Sequence, residues 1–433
     1  MPVELERPVN PGSGNHAGTA HLDVLRALAA FWVMTSHCII WGGALHSIPF
    51  PDPKIAVDIF MLISGFLMAS TLTSRADREP FAAPVTWLRF LTRRVFRLAP
   101  LYYAVLLFVV LLQSRYLGGY AVLRALNPAQ WGDDTVYNPA YVHYGVTNLL
   151  WHVSFLFGLH PIYAFSTFLP DWSLGLEMQF YVVVPFILLA MRRLGPGRTA
   201  VVLAIAALIG THGVNIAVQH GWMPRFREPS LLLFRLPIFL AGILAFEASP
   251  ARIPSWQRRT LLIGLAALLV MTMLPAYGPE VLLLELALTC IVVFNGADAG
   301  QTGAIGVSVT DISSKLVNPA GRVQRSRPVA AVLHSRIVMF AADVSYSVYL
   351  LHGLVLSLLG SIVGRAAAVH GISQAGVAAA IWVAVVPTTY ILSGVSYRLL
   401  ERPFISLGAR LARRLPDVGR HRSDPDNRMA LTL

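Results

Sequence analysis

Residues 22–41 read Leu22-Asp23-Val24-Leu25-Arg26-Ala27-Leu28-Ala29-Ala30-Phe31-Trp32-Val33-Met34-Thr35-Ser36-His37-Cys38-Ile39-Ile40-Trp41. At ~1.5 Å per residue this run is long enough to cross a hydrocarbon layer of about 30 Å. A charge inside such a helix costs at least ~2.5 kcal/mol on insertion scales, so it normally faces the bundle interior and has a task. Arg26 and His37 are eleven residues apart. At about 100° per residue that places both on one helical face, their backbones ~16 Å apart along the axis. Asp23 lies one turn before Arg26 and can pair with it. A snorkelling arginine and a packing histidine are the alternative for either residue alone. The shared face favours a cavity with a cation toward one end and an imidazole toward the other.

Outward from this segment, similar apolar runs recur near 54–73, 98–113, 172–191, 199–217, 229–247, 260–275, 279–297, 337–359 and 376–396. The chain of 433 residues is 55% hydrophobic and only 13% charged, too few charges for a surface that faces water everywhere. Its mean hydropathy is +0.61. The predicted fold is therefore all-α: a polytopic membrane bundle of about ten transmembrane helices in a lipid bilayer. The segment 146–160 is short and rich in His and Trp, and is expected to be re-entrant or interfacial, covered by protein or a wet cavity.

The net charge of +12 does not point to nucleic acid, because the arginines cluster in short linkers between apolar runs, as the positive-inside rule requires. Linkers 74–97, 192–198, 248–259 and 298–336 carry half of them, and the tail from Arg398 is basic as well. Ten spans then put both termini in the cytoplasm. Cys38 and Cys290 sit in apolar segments and form no CxxC or Cys/His cluster, so no disulfide framework and no metal site is expected. The predicted organisation is a disordered N-terminus (1–20) without the apolar core of a cleavable signal, a transmembrane domain (21–405) containing a cytoplasmic loop (298–335), and a basic disordered tail (406–433). The outer stretch 114–171, with Trp131, Asp133, Asp134, Tyr137, Tyr141, His143 and Tyr144, is expected to cap a cavity, touch a carbohydrate or anchor at the interface.

Further polar residues fall where they are expensive. Asp58 in the second span needs a partner, while Ser64 and Gly65 permit close helix packing. Arg94 and Arg97, one turn apart, suit a polyphosphate, or anchor the chain by the positive-inside rule. Ser173, Glu177 and Tyr181 form a stripe at i, i+4 and i+8 that faces a cavity, unless Glu177 pairs with an arginine. Ser345, Tyr349 and His352 share a face and are read as a core hydrogen-bond network. Glu401 is read as a structural acid paired with a basic neighbour.

In order along the chain, Leu22 to His37 resembles the R-x10-H signature of the acyltransferase 3 family of bacterial membrane O-acyltransferases. Val57 to Phe66, Arg93 to Tyr102, Asp171 to Tyr181 (with Trp172), Val344 to His352 and Tyr397 to Phe404 resemble its later motifs. Gly175 and Met178 depart from the pattern, the loop 298–335 is longer than expected, and no appended soluble domain is expected. The resemblance implies about ten helices, acyl-CoA (acetyl-CoA by default) as co-substrate with no permanently bound cofactor, and a carbohydrate or glycolipid acceptor. It implies location in the bacterial inner membrane. It makes Arg26 and His37 the essential pair, with Arg94 and Arg97 supporting. His37 is then the general base for the acceptor hydroxyl, Arg26 positions the donor or polarises its thioester, and Glu177 orients the acceptor or His37. A secondary transporter or sugar flippase is the rival. A transporter would show an inverted repeat with paired broken helices, and a flippase would not need the Arg26–His37 face. No such repeat is seen.

Overall fold

The computed structural model describes residues 16–128, 145–248, 254–277, 286, 289 and 335–415. Among these, every regular element is helical. The order is α1 (His16–Trp41), α2 (Pro53–Ser74), α3 (Pro84–Leu111), α4 (Gln113–Ala125), α5 (Val146–Val153), α6 (Trp172–Leu194), α7 (Pro196–Gln219), α8 (Leu232–Glu247), α9 (Ser255–Tyr277), α10 (Arg336–Asp343), α11 (Ser345–Val355), α12 (Ser361–Val369), α13 (Gln374–Ser396) and α14 (Arg402–Arg414). Among the described residues, seven helical stretches are long and apolar enough to cross a membrane: His21–Trp41, Pro53–Ser74, Pro84–Leu111, Trp172–Leu194, Pro196–Gln219, Ser345–Val369 and Gln374–Arg414. The all-helical polytopic bundle read from the sequence is found, with seven qualifying spans among the described residues where about ten were expected. The runs 229–247 and 260–275 are the helices α8 and α9; the run 279–297 apart from 286 and 289, the outer residues 131–144 and the loop 298–334 lie outside the described residues.

Local signals explain the helix ends. Asp52 caps α2 by accepting the Lys54 N–H at 2.8 Å, and Pro53 occupies the first turn, where its missing N–H costs nothing. Ser373 caps α13 in the same way. The segment 146–160 yields only the eight-residue α5 and a short tight turn, Leu156–Leu159. That is far short of the ~20 residues a span needs, so leaving it out of the span count was right.

Several boundaries differ from the sequence reading: α1 begins at His16, inside the stretch 1–20 expected to be disordered, and the late span runs over Ser345–Val369 and not 337–359. The third span was drawn from 98, yet α3 begins at Pro84; its arginine-rich first half is helical and carries Arg94 and Arg97 into the bundle. The tail drawn as disordered from 406 begins as helix, because α14 continues to Arg414 and lies along α3, with Gly408 against the Phe96 ring and Leu415 O accepting from Arg89 at 2.5 Å. An amphipathic helix with a partner surface folds where composition alone suggests a solvated tail.

The short helix α8 is buried on nearly every side, at the centre of the bundle between α2, α7 and α9. It meets α2 through two glycines in reciprocal contact: a Cβ on Gly65 would overlap the Phe239 carbonyl, and one on Gly242 the Leu62 carbonyl. Small residues give close backbone approach in membrane bundles. Gly65→Val should therefore lower the thermal midpoint in detergent, since overpacking of this kind costs ~1–3 kcal/mol; an unchanged midpoint would refute the close contact. By contrast, α7 faces lipid, with Val201, Val202, Ile205 and Ile209 exposed.

Candidate active site

Two cavities lie end to end inside the bundle. The first, of about 100 Å³, is lined by Arg26 of α1, Ser64 of α2, Arg94 and Arg97 of α3, Ser173, Glu177 and Tyr181 of α6, and Ser345, Tyr346 and Tyr349 of α11. The second, of about 470 Å³, has His37 and His352 in its wall, with Trp41, Tyr120, Phe165, Phe168 and Trp172, and Lys54, Asp52, Arg227 and Glu228 around it. Arg26 and His37, which share a face of α1, open on different cavities, not on the single one expected.

The arginine cavity carries an excess of positive charge. Three guanidiniums line it against one carboxylate. Glu177 accepts from the Ser64 hydroxyl at 3.3 Å and from the Tyr181 hydroxyl. Arg94 stands over the Phe90 and Tyr181 rings, its guanidinium carbon 5.4 and 5.6 Å from their centroids. Asp23 sits 4.0 Å from Arg26. Arg93 is different: Glu79 holds it through two hydrogen bonds of 2.9 and 2.6 Å, outside the cavity lining. Neighbouring arginines of one motif are thereby sorted into an anchor and two cavity residues.

The histidine cavity departs from the sequence reading at one point. His352 was assigned to a core network, but its Nε2 lies 2.7 Å from Nδ1 of His37 and the two rings stack with centroids 5.0 Å apart. Its Nδ1 is 3.2 Å from the Val348 carbonyl. A carbonyl only accepts, so His352 Nδ1 carries the proton of that contact. With His352 neutral, its Nε2 is a lone pair, and His37 Nδ1–H must be the donor to it. The free nitrogen of His37 is then Nε2, on the ring that lines the cavity. His352 is itself 1% exposed. No spacing rule reveals a partner 315 residues away.

Glu177, read as orienting the acceptor or His37, lies instead in the arginine cavity. The group that touches His37 is His352. Asp58 has the partner it needed, Arg235 of α8, with Nε 3.0 Å from Oδ1. Glu401, expected to pair with a base, accepts from the Ser347 hydroxyl. Ser173 and Tyr349 hydroxyls lie 2.7 Å apart, and Trp172 is buried against the histidine cavity.

The sequence suggests that 114–171 caps a cavity, but not the contacts that hold the roof of the histidine cavity together. His152 of α5 is fully buried, with Nδ1 2.7 Å from the Tyr102 hydroxyl and Nε2 2.9 Å from the Ser166 hydroxyl. Asp171 Oδ2 accepts from Tyr102 at 3.2 Å and from Thr167 at 2.9 Å. An Asp–His–Ser sequence of contacts suggests nucleophilic catalysis, yet Ser166 is 1% exposed and lines neither cavity. The network pins the segment 154–171 over the bundle. Phe168 in that segment holds a left-handed φ of 58°, costly for a bulky residue and held where the structure over-determines it: its carbonyl accepts from Tyr116 at 2.9 Å. At the cavity rim, Lys54 and Glu228 pair at 3.2 Å; burial pushes the Glu228 carboxyl up and Lys54 opposes the shift.

The family model describing the acyltransferase domain of the acyltransferase 3 family matches residues 20–398. The chain belongs to that family. A protein of Komagataeibacter xylinus named "Putative membrane-bound transacylase BcsY" is 32% identical over 187 residues, 42% of this chain and 40% of that one. The "Regulator of hypoxia-inducible factor 1" of Caenorhabditis elegans is 30% identical over 188 residues, 39% of this chain and 33% of that one. The chain thus spans well under half the length of these curated relatives. No solved structure matches it.

Proposed function

We propose that this membrane acyltransferase moves an acyl group, acetyl by default, from acyl-CoA to a hydroxyl of a carbohydrate or glycolipid. The observation that carries the reading is the pair of cavities back to back, one rich in arginine and the other holding a histidine with a fixed free nitrogen. The phosphates of the donor bind at Arg94 and Arg97, whose planar forks suit phosphate oxygens. Arg26 holds the donor at the same level. It lies ~16 Å along the helix from His37, too far to polarise a thioester that reacts there, so of its two suggested roles donor positioning is the one favoured.

Chemistry takes place toward His37. Nε2 accepts the proton of the acceptor hydroxyl while its oxygen attacks the thioester carbonyl carbon. The C–S bond breaks, and CoA leaves as a thiolate that takes up a proton. His352 accepts the Nδ1–H of His37 throughout, and so keeps Nε2 as the basic nitrogen. The aromatic lining formed by Trp41, Phe165, Phe168 and Trp172 offers flat apolar faces to a sugar. Basic linkers on the arginine side make that side cytoplasmic, with both termini there and the membrane the bacterial inner one.

Membranes carrying the protein, given labelled acetyl-CoA, should release CoA and form an ester cleaved by hydroxylamine. Absence of both, with a sugar moved across the membrane instead, would favour a transporter. Arg94→Gln with Arg97→Gln should raise the KM for acyl-CoA at least tenfold with near-normal protein in the membrane. If the loss comes instead from failed insertion, these arginines are topology anchors and the phosphate role is wrong.

A further inference from the structure

Tyr349 and Val57 are the two residues that line both cavities. Tyr349 is central to the contact. Its hydroxyl lies 2.7 Å from the Ser173 hydroxyl across from α11 to α6, and its ring packs 5.9 Å from Phe60 and 6.0 Å from His352. It is 8% exposed, so its surface is spent on the two walls. Along α11, Ser345 opens on the arginine cavity and His352 on the histidine cavity, with Tyr349 one turn from each. Tyr349 and Val57 thus stand where the two cavities meet.

We propose that Tyr349, latched to Ser173 and backed by Val57, is the wall between the donor and acceptor cavities and sets the longest acyl group that reaches His37. On the arginine side the wall is met by Val57, Phe60, Met61, Leu174 and Leu350. This apolar collar suits the carbon end of a thioester better than its phosphates. On the other side stands the histidine pair. The wall confines the acyl chain and keeps acceptor-side water from the thioester. The acyl-length consequence rests on the acyl-transfer reading above; the wall itself does not.

Two measurements separate these parts. Cysteine is placed at Ser36, which lines only the histidine cavity, in a protein whose Cys38 and Cys290 are replaced by serine. A small anionic methanethiosulfonate is then applied from the arginine side of sealed vesicles. With Tyr349 present, labelling from that side should be slow. Tyr349→Ala should raise its rate at least tenfold, and Ser173→Ala, which removes only the latch, should raise it less. Labelling from the opposite side should stay constant in all three, which certifies the fold. Equal rates in the parent and in both variants overturn the wall; if Tyr349→Ala disturbs the opposite-side rate, Ser173→Ala alone decides.

The second measurement is the turnover ratio of butyryl-CoA to acetyl-CoA. Tyr349→Ala should raise it at least tenfold, and an unchanged ratio overturns the acyl-length role. If the wall opens as expected but the parent never releases CoA, the wall stands and the acyl-transfer reading fails.

Discussion

Replacing His37 by alanine is expected to lower acyl transfer by ~10²–10⁴-fold, the range that a positioned general base contributes. The amount of protein in the membrane should be near normal, because the side chain faces a cavity and the helix loses little packing. His37→Gln should fail as well: an amide can hydrogen-bond the acceptor but cannot take its proton. The result for His352 is the more informative. Sequence reading alone makes His352 structural and expects its alanine variant to keep some turnover. The 2.7 Å contact with His37 makes it a positioning residue, and its loss frees the imidazole to rotate and to change tautomer. His352→Ala should therefore lower kcat with little change in KM. His352→Gln, whose amide oxygen can accept the His37 Nδ1–H, should recover part of it. Because the two rings act as a unit, the double alanine variant should be no worse than His37→Ala. Additive losses, or full turnover in His352→Ala, would show that His37 works without this partner.

The second large effect concerns stability. Asp58 is fully buried, with Arg235 Nε 3.0 Å from its Oδ1, and Arg235 is 13% exposed. Removing one member of such a pair strands a charge in an apolar interior, at a cost of ~3–5 kcal/mol. Asp58→Asn and Arg235→Met should each lower the thermal midpoint in detergent sharply. Replacing both together by apolar residues should restore most of the loss, since the desolvation of two ions is then removed along with their attraction. Single variants as stable as the parent, or a double variant worse than either, would show that the pair is not what secures α2 to α8.

These contacts mark the limit of what one sequence discloses. Apolar run lengths and arginine-rich linkers are local signals, so they yield the bundle and the exclusion of 146–160 from the spans. The face shared by Arg26 and His37 follows from helical geometry alone, and it does open on two cavities. The Ser173–Glu177–Tyr181 stripe faces a cavity for the same reason. Pairings across the bundle are another matter. Asp58 announces that it needs a partner, and Arg235 inside an apolar run is an equally conspicuous cation; only their conjunction was missed, and two lone charges in apolar runs are a usable signal. His352 gives no such sign, because a histidine beside Tyr349 satisfies the pattern of a core network as well as that of a catalytic support. The pin of His152, Asp171 and Ser166 was missed because α5, which carries His152, is too short to show a period, and Ser166 and Asp171 lie in the irregular segment after it. The helical start of the tail was missed because the basic composition of α14 masks a face that finds α3.

The most direct measurement is the structure of the protein in lipid nanodiscs with a non-hydrolysable acyl-CoA analogue. The account predicts density for the phosphates against Arg94 and Arg97, with Arg26 alongside, and the thioester mimic pointing past the apolar collar to Tyr349, on the path to His37. Density for the analogue anywhere else, or its carbonyl turned away from the histidine pair, would contradict the account.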